Sequence, residues 1–207
     1  PDLMWCHMPL QLTPAGDLAA LARNAALRAQ GDPVDRIDTG LALAGLAATT
    51  LLAVSGGSSA TVKAGATVVR VMHRAGRLSP GLTRALARAA RIEIDWPRLP
   101  AVARGAPIAE AVDTAALSRL VRIGHDLGDL RANTSTADAL RLLPRIESPA
   151  DAARLARASE VLGRDTAPAV AVLGKARVFR LTVRLSDLAR AALSPLAALL
   201  GQLLALA

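Results

Sequence analysis

At 207 residues the chain is long enough to bury a sizeable core as one domain or two, and 52% hydrophobic residues with mean hydropathy +0.34 exclude a disordered polymer. The formal charge of +8 and pI near 11.3 come almost wholly from arginine, with lysine only at Lys63 and Lys175, which selects for anionic partners. One cysteine, Cys6, excludes an internal disulfide, and aromatics at 1% with no tyrosine leave few strand formers.

About a fifth of the residues are alanine, and Ala, Leu and Arg all rank high in helix propensity, so an all-α, Ala-rich multi-helix bundle is expected. Residues 1–16 carry Pro1, Pro9, Pro14 and Gly16 without periodicity and read as an extended lead-in. No basic stretch followed by an apolar run opens the chain, so nothing reads as a secretory signal. The start at Pro1 and the end in "LLALA" read as those of a fragment or a processed chain.

An N-terminal helical unit is expected over 17–91. Its first helix starts at Asp17, lines Leu18, Leu21, Ala25 and Ala26 along one side, and stops at Gly31. Asp32 and Pro33 then read as the N-cap and first position of the next helix. From Thr39 to Val54 no residue is charged, but that run covers only about 24 Å against a hydrocarbon core of roughly 30 Å. Its leucines favour insertion by roughly 2–4 kcal/mol, about what one mid-membrane arginine would cancel. Gly40, Ala44 and Ala48 recur every four residues, a small-residue stripe suited to close helix–helix packing. "SGGSS" breaks the run, and the chain turns back, giving a central apolar hairpin at about 34–75.

The return arm carries Lys63, Arg70, Arg74 and Arg77 at roughly one-turn intervals and reads as amphipathic, not buried. Ser79 and Pro80 then cap a helix with Arg84, Arg88 and Arg91 opposite Leu82, Leu86 and Ala89. Between Asp38 and Glu93 every formal charge is positive. Residues 92–107, with three prolines in "DWPRLPAVARGAP", read as a connector to a C-terminal unit over 108–207, the whole still compatible with one compact domain.

In that unit Leu117, Leu120, Val121, Gly124 and Leu127 follow a 3.6-residue pattern. "STAD" at 135–138 and "SPAD" at 148–151 read as capping boxes in which Ser135 and Ser148 accept N–H bonds while Asp138 and Asp151 reach back. The last helix is expected from near Thr166, with Pro168 in its first turn. It places Val178, Leu181, Leu185, Leu188 and Ala192 on one face and Arg177, Arg180, Arg184 and Arg190 on the other, next to Lys175. It runs into an uncharged apolar C-terminal helix at 191–207.

Catalytic grammar is absent. "SGGSSATVK" lacks the order of a phosphate loop, and no nucleophile elbow, paired-cysteine, zinc-protease or dinucleotide pattern occurs, so no enzyme, cofactor or metal is expected. Met4, Cys6, His7 and Met8 are soft ligands without a second Cys or His at a standard spacing. His125 and Asp129 share a helix face at i, i+4, as ligands or a base and its orienter would, but Arg122 and Asp126 at the same spacing point to a solvated face. The informative features are the basic runs at 63–91 and 175–190, each touching a charge-free segment. That placement puts arginine at anionic headgroups while the neighbouring helix meets the acyl region, with the basic segments on the cytoplasmic side. The expectation is a membrane-associated helical protein that docks on anionic lipid or an acidic partner. A pore-forming or toxin-like domain, and a soluble bundle binding an acidic protein or nucleic acid, stand as alternatives.

Overall fold

The computed structural model describes residues 14–55 and 58–184, and these form an all-α bundle with no strand among them. The helices are α1 (Pro14–Ala29), α2 (Arg36–Ser55), α3 (Ser58–Arg74), α4 (Pro80–Ala89), α5 (Leu99–Ala103), α6 (Thr114–Asn133), α7 (Thr136–Leu142), α8 (Pro149–Leu162) and α9 (Thr166–Leu173). A further helix, α10, is described over 175–184. Between α4 and α6 the chain makes short helical turns and one isolated antiparallel bridge, Ile94 to Val112.

Helices α2 and α3 form the expected hairpin, α2 ending at Ser55 and α3 beginning at Ser58. On this hairpin α1 packs against α2, and α6 packs along α3 with α8 behind it. Residues 37–48 are all buried, so this part of α2 is central and meets protein on every side. Leu41 and Leu43 from α2, Leu82 and Leu86 from α4, Leu120 and Leu127 from α6, and Leu155 from α8 are fully enclosed. One hydrophobic cluster runs from Ala20 to Val178.

Several local readings hold. Ser79 Oγ accepts from the Leu82 N–H at 3.1 Å with Pro80 in the first turn, Ser135 from Asp138 at 3.0 Å and Ser148 from Asp151 at 3.1 Å. The return arms of the two boxes differ. Asp138 accepts the Ser135 hydroxyl at 2.8 Å, and Asp151 accepts the Glu147 N–H at 3.1 Å, so neither bonds the N-cap backbone N–H that the usual Glu takes.

Five expectations are corrected. The last helix expected from near Thr166 is two, α9 ending at Leu173 and α10 starting after Gly174, whose φ of 77° breaks the helix. Helix α1 already includes Pro14, ahead of Asp17. Helix α2 is capped by Asp35, not Asp32: the Asp35 carboxylate accepts from Ile37 and Asp38 at 3.0 Å each, and the helix begins only at Arg36, so Pro33 lies outside it. Helix α3 is not a surface amphipathic arm, since residues 62–70 are all buried. On α10, Val178 and Thr182 are buried whereas Leu181 is 45% exposed, so the buried face turns through i, i+4 from Val178 and leaves Leu181 in solvent. The expectations for residues 1–13 and 185–207, including Met4, Cys6, His7, Met8 and Arg190, lie outside the described residues.

Helices α3 and α6 approach backbone to backbone. A Cβ at Gly65 would stand 1.8 Å from the Gly124 carbonyl oxygen, and one at Gly128 would stand 2.0 Å from that of Thr61. The stripe on α2 has a milder role: Ala44 and Ala48 are buried, and a Cβ at Gly40 would meet the Leu120 side chain at 2.7 Å and the Ala90 Cβ at 3.2 Å.

Candidate functional site

Three helices bring a charge cluster into the protein interior. Lys63, Thr67, Arg70 and Arg74 share one stripe of α3, at i, i+4, i+7 and i+11. That stripe faces Asp17 on α1 and Asp38 on α2. Lys63 is 5% and Arg70 2% exposed. The Arg70 guanidinium donates to Asp17 Oδ1 and, at 3.1 Å, to the Gly16 carbonyl, while Lys63 Nζ stands 3.2 Å from Asp17 Oδ2. Asp38 accepts from Arg74 Nε at 2.9 Å, Arg74 Nη2 at 3.1 Å, Arg23 Nη2 at 2.8 Å and Asn24 Nδ2 at 3.2 Å, with Arg70 Nε at 3.5 Å. Gly45 makes the space: a Cβ there would sit 2.7 Å from Asp17 Oδ2.

Two buried carboxylates thus face two buried cations, and the partly exposed Arg23 and Arg74 close the outer side. Burial pushes the Asp17 carboxyl above its ordinary range, although Arg70 and Lys63 pull the other way. Burial acts on Asp38 too, but hydrogen bonds and charge from Arg74, with Arg70 and Arg23, outweigh it and hold that carboxyl below its ordinary range. With Arg23 and Arg74 the cluster holds four cations to two carboxylates, and its ion pairs join α1, α2 and α3, which suits locking α1 onto the hairpin.

Sequence reading assigned Lys63, Arg70 and Arg74 to an external anion and missed Asp17, Asn24 and Asp38 as their partners. One signal was available: the other faces of α3 carry Val62, Gly65, Ala66, Val68 and Val69, which leaves the helix no second polar side to turn to water.

The remaining cations lie outside. On α4, Leu82, Ala85, Leu86 and Ala89 are buried, and Arg84 and Arg88 point outward, followed by exposed Arg91. Arg77, Arg84, Arg88 and Arg91 form no ion pair among the described residues, nor do Arg177, Arg180 and Arg184. Lys175 is engaged, donating to Asp151 Oδ2 at 2.7 Å and to the Arg145 carbonyl at 3.0 Å.

Beside a cleft of about 340 Å³ that Arg23 and Arg74 share with Asp35 and Asp38, two more carry clustered guanidiniums. The larger, about 980 Å³, lies where α1 ends and α2 begins and holds Arg28, Arg36, Arg91, Asp32, Glu93 and Trp96, with the Arg28 guanidinium 5.6 Å from the Trp96 ring. The smaller, about 430 Å³, is lined by Arg77, Arg141 and Arg145 with Asp138. His125 Nδ1 meets Asp129 Oδ2 at 2.9 Å on the surface of α6, and burial raises the neighbouring Asp126 carboxyl, an effect opposed by His125. No group of three metal-ligating side chains occurs among the described residues. No helix among them is long and apolar enough to cross a membrane. No protein-family model matches the chain, and comparison with curated proteins and with solved structures gave no match.

Proposed function

We infer that this is a non-enzymatic helical protein that docks on an anionic phospholipid surface, the cytoplasmic leaflet being the one its charge suits. The observation that carries the reading is the end of the described chain. Val172 is 83% exposed, and Leu173 and Leu181 are exposed with it, beside Arg177, Arg180 and Arg184. Apolar side chains set among guanidiniums suit the boundary between headgroups and acyl chains. Each arginine near an anionic surface contributes about 1 kcal/mol. The sequence extends the same character, since residues 191–207 carry no charge. Docking of this kind needs no spanning helix.

A second reading, a soluble bundle that binds an acidic protein, draws on the burial of α2 inside the fold. Both readings use the same guanidiniums; the exposed apolar residues beside them favour lipid. Sedimentation with neutral and with phosphatidylglycerol-containing vesicles tests the choice. Binding to the anionic vesicles alone, weakening with salt and falling about tenfold or more in R177E/R180E, is expected. Failure to sediment with either vesicle at low salt overturns the lipid reading.

A further inference from the structure

We propose that the cleft between Arg77, Arg141 and Arg145 is a binding site for a phosphate monoester, filled at the membrane by a lipid headgroup that carries one. The inference rests on the docking reading above and specifies its ligand.

The cleft is assembled from three separate segments. Arg77 follows the turn after α3, where Gly76 takes a positive φ of 64°; Arg141 projects from α7; Arg145 ends the short turn Leu143–Arg145. Two hydrogen bonds hold these segments in register. The Ser79 hydroxyl donates to the Ile146 carbonyl, tying the Arg77 loop to the residue after Arg145, and Lys175 Nζ donates to the Arg145 carbonyl at 3.0 Å. The backbone that carries the guanidiniums is therefore fixed before any ligand arrives, which lowers the cost of binding.

The lining charge is +3 from the arginines and −1 from Asp138, net +2. Asp138 is already committed, accepting the Ser135 hydroxyl at 2.8 Å and Arg141 Nη1 at 3.3 Å. Arg77 and Arg145 meet no carboxylate among the described residues and present planar forks matched to phosphate oxygens. A net +2 complements a dianion, and a phosphate monoester becomes one above a second pKa of about 6, whereas a phosphodiester carries one charge. The volume of about 430 Å³ leaves room for the phosphate together with the glycerol that carries it. Pro168 and Ala171 of α9 form part of the wall, and the next residue, Val172, is the most exposed large hydrophobic of the described chain. A headgroup in the cleft would bring its own acyl chains to that side chain.

The test compares vesicles containing phosphatidic acid with vesicles containing phosphatidylglycerol, using wild type, R77Q/R145Q and R84Q/R88Q. All four positions are exposed, so the fold survives the changes, which circular dichroism and the melting midpoint check. The cleft variant should lose about tenfold on phosphatidic acid and under twofold on phosphatidylglycerol, while the α4 variant loses equally on both. Equal losses on both lipids in the cleft variant overturn the headgroup site and leave the docking reading intact. Titration with glycerol phosphate separates the sources. Arg145-dependent binding of it by a protein that ignores all vesicles keeps the phosphate site and sinks docking, and no binding of either kind sinks both.

Discussion

A Cβ on Gly65 would stand 1.8 Å from the Gly124 carbonyl oxygen and 2.6 Å from the Gly128 nitrogen, so the α3–α6 crossing exists only because both helices lack side chains there. The obstacle is backbone, which cannot swing aside as a side chain can. Gly65→Ala should therefore cost about 3 kcal/mol, at the upper end of overpacking effects. Gly124→Ala should cost less, because its Cβ would lie 3.1 Å from the nearest atom, the Val62 carbonyl oxygen. Urea midpoints give the order; equal losses in the two variants would mean that the crossing is looser than it stands here.

Removing the charge of Asp38 is expected to be the most damaging single change in the interior cluster. Asp38→Asn leaves Arg70 buried beside a weaker acceptor and strips Arg23 and Arg74 of their shared partner, so a loss of about 3 kcal/mol is expected at neutral pH. Asp17→Asn should cost less, since burial already disfavours the ionised form of Asp17. Chemical denaturation of both variants at one pH tests the ranking, and a larger loss for Asp17→Asn would reverse it.

The same two carboxyls give opposite pH dependences. Asp38, held below its unfolded value of 3.8, stabilises the fold above that pH and loses the contribution as pH falls through its lower folded value. Asp17, raised above 3.8, contributes fully below that value and loses it as pH rises through its folded value. Acidifying from neutral should first relieve Asp17 and then, below 3.8, unload Asp38. In difference profiles of melting midpoint against pH, Asp17→Asn should remove the gain on the less acidic side and Asp38→Asn the loss on the more acidic side. Flat difference profiles for both would show that neither carboxyl is coupled to folding.

These interior charges also mark where the sequence stopped being legible. Helix starts at Ser79, Ser135 and Ser148 were readable because a cap and its N–H lie three residues apart, so the whole interaction sits in one short string. The all-α class followed from alanine and leucine for the same local reason. Arg70 and Asp17 lie 53 positions apart, and nothing local distinguishes an arginine aimed at water from one aimed at a distant carboxylate. Lys63, Arg70 and Arg74 do share one stripe, but Arg77 lies beyond the end of α3, and only tertiary packing fixed what the stripe meets. Gly65 and Gly128 were silent for a related reason, since a glycine within a helix shows its purpose only once a second backbone is laid across it. The exposed positions Arg84, Arg88 and Arg91 kept their place opposite Leu82 and Leu86 because α4 meets protein on one side alone.

Ser79 should matter more than an ordinary cap. Its Oγ accepts from the Leu82 N–H and also donates to the Ile146 carbonyl, joining the start of α4 to the segment before α8. Loss of the cap alone costs about 1 kcal/mol. Ser79→Ala additionally strands a carbonyl belonging to a residue with no solvent exposure, an effect of about 1 kcal/mol or more. A total near 2 kcal/mol is expected, against about 1 kcal/mol for Ser135→Ala, whose hydroxyl bonds only within its own turn. The variant should also loosen the register of Arg77 against Arg145, which hydrogen exchange at Ile146 and its neighbours would report as faster opening. Equal losses in the two serine variants, with unchanged exchange, would leave the Ile146 bond without energetic weight and remove one of the two ties that organise the arginine cleft.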